Sequence, residues 1–188
     1  MTRDILFTVL NKLIKVSRKS KVKIVLMGGL ASSIFARPRA TYDIDGIASL
    51  REENLNEFLT LLKADGFKFE EKRPLKFIQG MPFLTFYYSR YKTYVDLFIA
   101  KNKFQNDVLK RARKVRLKKL HLYVVSPEDL ILIKLQTGRE KDLEDVRDII
   151  SVNKSSLDFK YLEAQAKKMG VYEFLKDEER SLGVRGYR

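Results

Sequence analysis

Between residues 22 and 35 the hydrophobic period changes across a single pair of glycines. Val22 to Met27 is a short apolar run rich in β-branched residues, ended by Gly28-Gly29, and Leu30 to Phe35 continues at helical spacing. A buried strand turning sharply into a helix satisfies all three segments. A second strand is expected over Thr41 to Ile47, and a helix over Glu52 to Lys63 before the turn at Asp65-Gly66. Phe67 to Glu70, Phe83 to Ser89 and Thr93 to Ile99 have the aromatic and β-branched content of strands, separated by Pro74, Gly80, Pro82 and a polar Ser-Arg-Tyr-Lys turn.

An amphipathic helix over 4–16 precedes this unit, with Ile5, Leu6, Val9, Leu10, Leu13 and Ile14 at helical spacing. A short helix follows Lys103, then strands near Val115 to Leu117 and Leu122 to Val125. Ser126 as N-cap, Pro127 at N1 and Asp129 at N3 open a helical stretch over Leu130 to Gln136, Arg139 to Ser151, Asp158 to Met169 and Tyr172 to Arg180. The tail Gly183 to Arg188 is expected to fray. The expected class is α+β: a mixed sheet flanked by helices over 1–125 and a helical part over 126–188, packed as one compact unit.

Lys and Arg number 38 against 24 Asp and Glu, and the formal charge of +14 draws polyanions such as nucleotides and RNA. With no Cys and one His, His121, disulfides, thiolate sites and His-rich metal sites are excluded, so a metal would be held by oxygen. No run has the length of a membrane span or the form of a signal peptide, and a soluble cytoplasmic protein is expected.

Asp43 and Asp45 stand at i and i+2 in Tyr-Asp-Ile-Asp, which on a strand turns both carboxylates to one face and Ile44 to the core. Taken alone, such a pair is equally the solvated end of a strand. Asp96, in Tyr-Val-Asp-Leu-Phe, is a lone carboxylate between apolar neighbours. If the two strands are adjacent, three carboxylates converge and can hold one or two Mg²⁺ ions against a triphosphate. Gly28-Gly29 offers bare backbone at a helix N-terminus, suited to phosphates and equally to a plain tight turn. Ser32 and Ser33, one turn on, are either hydroxyl contacts or helix surface.

Two further features concern polyanions. Lys110 to Lys119 holds seven Lys or Arg in ten positions, among them Lys110, Arg111, Arg113, Lys114 and Arg116. It reads either as an RNA track or as an edge strand that uses charge to block pairing. Phe83, Phe86, Tyr87, Tyr88 and Tyr91 either stack bases or fill the two faces of a sheet.

An apolar strand, Gly-Gly, thirteen intervening residues, Asp-hydrophobic-Asp and a later hydrophobic-Asp-hydrophobic strand together resemble the polymerase-β-like nucleotidyltransferase superfamily. Met27-Gly-Gly-Leu-Ala-Ser-Ser and Arg39-Ala-Thr41-Tyr-Asp-Ile-Asp are similar to elements of its AbiEii-type (type IV toxin) branch, as are the segments from Val125 to Leu135 and from Gly138 to Asp145. Leu30 and Gly46 depart from that pattern. The resemblance implies Asp43, Asp45 and Asp96 as catalytic Mg²⁺ (or Mn²⁺) ligands. It implies nucleotide binding by Gly28, Gly29, Ser32, Ser33, Arg39, Thr41 and Lys134, with Asp142 or Asp145 orienting the lysine. With the basic charge, it implies transfer of a nucleoside monophosphate from an NTP to RNA, foremost a tRNA end, and a cognate antitoxin as partner. The alternative within the same fold is a chain that binds nucleotide or RNA without chemistry.

Overall fold

A computed structural model describes residues 2–71, 74–78 and 81–184; Gly80 and the last four residues of the tail lie outside the described residues. The chain packs as two compact units, Met1–Leu30 with Ala40–Val125, and Ala31–Arg39 with Ser126–Arg188. Segment 31–39 thus belongs with the helical part, an assignment that its own sequence does not signal.

The first unit opens with α1 (Thr2–Lys19), whose Val9, Leu10, Leu13 and Val16 are buried on one stripe. In chain order there follow β1 (Ile24–Leu26), α2 (Gly28–Phe35, which from Ala31 on belongs to the second unit), β2 (Ile44–Ala48), α3 (Glu52–Ala64), β3 (Phe67–Lys68), β4 (Leu75–Ile78), β5 (Met81–Tyr88), β6 (Thr93–Ile99), α4 (Lys103–Arg111), β7 (Arg113–Leu117) and β8 (Leu120–Val124). The strands form one eight-stranded mixed sheet in the order β3-β5-β6-β2-β1-β8-β7, with β4 also paired to β5. β1 runs parallel to β8 and β2 parallel to β6, while the other pairs are antiparallel.

Alternation divides this sheet into two faces. Ile44, Leu84, Phe86, Val95 and Leu97 are fully buried on one face, in the same core as Phe58 and Leu62 of α3. On the other face Asp45, Thr85, Tyr94 and Asp96 are half-buried. This second face carries the candidate site.

Several boundaries differ from expectation. The glycines are the first residues of α2 rather than a turn ahead of it. β2 begins at Ile44, so Asp43 stands one residue before the strand. β3 keeps only Phe67 and Lys68 of the strand expected over 67–70, and β4 was not expected at all. Pro82, read as a separator, lies inside β5, where it pairs with Phe77 of β4.

In the second unit, α5 (Pro127–Thr137) packs against α6 (Glu140–Asn153) and α7 (Phe159–Met169), and α8 (Tyr172–Ser181) packs on α6 and α7. Buried on nearly every side, α5 encloses Glu128, Asp129 and Lys134 as well as Leu130, Ile131, Leu132 and Leu135, and forms the unit's centre. Its start is the one read from sequence: the Ser126 side chain accepts from the Asp129 N–H at 3.1 Å and Pro127 begins the helix. Gly138, not expected as a cap, closes it at φ +65° after Thr137, one residue beyond the expected end at Gln136.

Candidate active site

Asp45 and Asp96 are register partners on the adjacent parallel strands β2 and β6, side by side on the half-buried face. In the next strand Thr85 is paired with Asp96 and donates its hydroxyl to the Asp96 carboxylate (Oγ1 to Oδ1, 2.6 Å). One row across three strands therefore reads Asp45, Asp96, Thr85. Asp43 is exposed at the mouth of β2, where the Thr41 hydroxyl donates to its backbone carbonyl at 3.4 Å. The Tyr94 phenol, on the same face of β6, is pushed up first by its hydrogen bond to Glu70 and also by the Asp43 charge.

Gly28 closes the other side of Asp45. Its φ is +61°, and a Cβ built there would overlap the Asp45 carboxylate, reaching within 2.7 Å of Cγ. Only glycine meets both conditions at low cost. Gly46, the next residue of β2, is equally confined: a Cβ there would approach Leu97 Cδ2 at 2.9 Å and the Val25 carbonyl at 3.1 Å. Leu97 packs into the space that the glycine leaves, so the departure at Gly46 is met by close packing.

Of the residues assigned to nucleotide binding beyond the glycines, Thr41 lies in the first unit with Asp43, and the others belong to the second unit, where most of them form one network. Lys134, 4% exposed, pairs with Asp142 (2.8 Å) and with Asp145 (2.6 Å). Arg39 holds both oxygens of Asp145, at 3.1 and 2.8 Å, and the Ser32 hydroxyl donates to it at 3.2 Å. Thr137 (2.7 Å) and Arg139 (2.6 Å) complete Asp142. Burial works to raise both carboxyls. Hydrogen bonds from Lys134, Thr137 and Arg139 outweigh it and hold Asp142 at about 2, and those from Arg39 and Lys134 likewise hold Asp145 below the ordinary range. Ser32 is thus buried rather than helix surface. Ser33 donates to the Arg39 carbonyl at 3.0 Å and accepts from the Arg39 N–H at 3.4 Å.

The basic run occupies one end of the sheet. Lys110 and Arg111 end α4, and Arg113, Lys114 and Arg116 lie exposed or half-exposed on β7, the terminal strand of the sheet order.

A family model described as "Nucleotidyltransferase of unknown function (DUF6036)" matches residues 4–185. The chain belongs to this family. In fold the nucleotidyltransferase is similar to an antigenic nucleotidyltransferase-like protein from Paracoccidioides brasiliensis, at TM-score 0.62 and 20% identity over 97% of this chain and 92% of that one. It is similar to a putative nucleotidyltransferase from Thermotoga maritima (0.57, 20%, covering 80% and 96%) and to the lincosamide antibiotic adenylyltransferase LnuA (0.55, 18%, covering 81% and 98%). Among curated proteins, none matches the chain in sequence.

Among the described residues, no three His, Asp or Glu side chains stand together as a ready metal cage. What the nucleotidyltransferase presents is the pair Asp45 and Asp96, with Asp43 nearby at the strand mouth. The donor set fits a hard divalent cation, which takes one or two carboxylates and fills its shell with water and phosphate oxygens. Glycine at position 28 lets the Asp45 carboxylate lie against the start of α2. Thr85 is the site residue that sequence reasoning passed over. Its signal was present: a Thr among aromatics, at the open-face parity of Phe83 and Tyr87.

Proposed function

We propose that this nucleotidyltransferase moves a nucleoside monophosphate from an NTP to an RNA hydroxyl, foremost a tRNA end, at the row formed by Asp45, Asp96 and Thr85. The observation that carries the reading is the register pairing of Asp45 with Asp96 beside a glycine whose Cβ would displace the carboxylate. The acceptor oxygen bonds to the α-phosphorus, the bond from that phosphorus to the bridging oxygen breaks, and pyrophosphate leaves with the electron pair while the acceptor proton passes to solvent. Mg²⁺ or Mn²⁺ held by Asp45 and Asp96, with Asp43, would neutralise phosphate charge and activate the acceptor oxygen.

The chain's own residues supply position. Thr85 fixes the rotamer of Asp96, Gly28 fixes the place of Asp45, and Gly28 and Gly29 at the start of α2 lie where backbone can approach phosphates. For Lys134 the resemblance supplies the nucleotide role, and the NTP affinity of Lys134→Ala tests it. RNA as acceptor is supported by the +14 charge and by the exposed basic edge of β7. An AbiEii-type toxin paired with an antitoxin is the biological setting that the sequence resemblance favours.

The lincosamide adenylyltransferase, which shares the fold, favours a second reading, a small-molecule hydroxyl as acceptor. Incubation with each α-labelled NTP, Mg²⁺ or Mn²⁺, and total RNA or the protein alone separates these outcomes. Label in RNA is expected. Label in no RNA under any NTP would end the RNA assignment.

A further inference from the structure

On the carboxylate face, the two strands that carry Asp96 and Thr85 place aromatic rings on both sides of that row. Phe83 is the register partner of Phe98, and their rings lie 5.9 Å apart at 28°; Tyr87 is the partner of Tyr94, at 5.7 Å and 45°. All four are half-buried, whereas Leu84, Phe86, Val95 and Leu97 on the opposite face are fully buried. On the carboxylate face this row continues from Phe98 into Ile47 and Val25, which are buried, so Phe83 and Phe98 form the half-buried margin of an apolar layer beside the carboxylates, a surface on which a base can stack.

We infer that Phe83 and Phe98 seat the terminal base of a single-stranded RNA 3′ end, presenting its ribose hydroxyl to Asp96; this rests on the nucleotidyl-transfer reading above. Residues two apart on a strand stand roughly 7 Å from each other, so the Phe83–Phe98 row is about one nucleotide's base-to-hydroxyl reach from the Asp96–Thr85 row. The phenylalanine pair fits this better than the tyrosine pair, because its rings lie closer to coplanar and the Tyr94 hydroxyl is already held by Glu70 at 2.6 Å. Charge agrees with an RNA strand. Lys76 of β4 is the register partner of Phe83, and Lys68 of β3 that of Tyr87, so each aromatic row ends in a cation at its outer margin. Lys76 pairs with Glu71 at 2.7 Å, a partly exposed contact that a phosphate can replace. A small uncharged acceptor would have no use for either lysine.

Phe86 and Tyr88 are core, whereas Phe83 and Tyr87 face the site.

The test needs no catalysis. An octaribonucleotide ending in 2-aminopurine is titrated into the full chain, and its fluorescence and Kd are compared with those of the same oligonucleotide ending in an abasic ribose. Stacking predicts quenching of the terminal base and about tenfold weaker binding of the abasic end. Phe98→Leu should abolish the quench. Lys76→Gln, a surface change that leaves the fold alone, should make the salt dependence of log Kd shallower by roughly 0.7. An unquenched terminal base, or equal affinity for the abasic end, overturns the inference, as does label on protein in place of RNA. NTP binding by the wild-type chain is followed separately. Its absence with the quench intact would end the transfer reading and leave the stacking site standing.

Discussion

Gly28→Ala tests the coupling between the start of α2 and Asp45. The substitution imposes two costs. An alanine at φ +61° pays about 1 kcal/mol or somewhat more for the left-handed conformation. Its Cβ also occupies the space of the Asp45 carboxylate, and turning that side chain off its rotamer costs about 0.5–1.5 kcal/mol more. Together these predict a loss of about 2 kcal/mol in urea unfolding, a sizeable share of a domain's marginal stability. The catalytic effect should be larger in proportion. Displacing a carboxylate of the proposed centre by about 1 Å is expected to lower kcat by about 10²-fold in transfer of label from an α-labelled NTP. Gly46→Ala is the control, because its Cβ would meet Leu97 and the Val25 carbonyl rather than a carboxylate, and its strain should appear in stability with activity largely kept. A Gly28→Ala protein with wild-type activity would refute the placement of Asp45 in the site.

Thr85→Val removes the donor 2.6 Å from Asp96 and leaves shape nearly constant; it should lower kcat by about tenfold with little change in NTP affinity, measured by steady-state kinetics and calorimetry. Lys134→Ala should destabilise the second unit by roughly 3 kcal/mol, because two buried carboxylates lose a shared cation, although Arg39 and Arg139 remain to each; thermal melts followed beside NTP titrations separate this from any loss of nucleotide affinity. Asp142 has its folded-state pKa lowered to about 2, so its contribution is present above about pH 4 and is lost as pH falls toward 2. Asp142→Asn should flatten melting temperature against pH in that window. Replacing Lys110, Arg111, Arg113 and Lys114 with Gln should make the salt slope of RNA affinity shallower by roughly 0.7 to 0.9 per lost phosphate contact, with NTP affinity kept.

Legibility followed the range of the forces involved. A helix start marked by local chemistry, the Ser126 cap with Pro127, was readable, and so was β6, whose alternation is complete over Thr93–Ile99. β4 was not, since Leu75–Ile78 follows a charged stretch and Pro74 and is held by pairing to β5 rather than by its own pattern. Pro82 misled for a related reason: its missing N–H argues against a central strand, yet β5 continues through it. The Asp-x-Asp spacing placed Ile44 in the core correctly, but whether Asp96 would stand beside Asp45 depended on strand order, which no local pattern encodes. The ties of Ser32 and Arg39 to Asp145 span more than a hundred residues. The sequence suggested those residues through resemblance, and only the fold reveals that they satisfy one another.

The central claim is that Asp45 and Asp96 form the centre of nucleotidyl transfer, and the most direct measurement compares label transfer from α-labelled NTP to RNA, with Mg²⁺, by the wild type and by Asp45→Asn and Asp96→Asn. Asp177→Asn, at an exposed carboxylate of α8, serves as the control. The account predicts transfer by the wild type and the control and its loss, with the fold retained by circular dichroism, in both carboxylate variants; undiminished transfer in either carboxylate variant would contradict it.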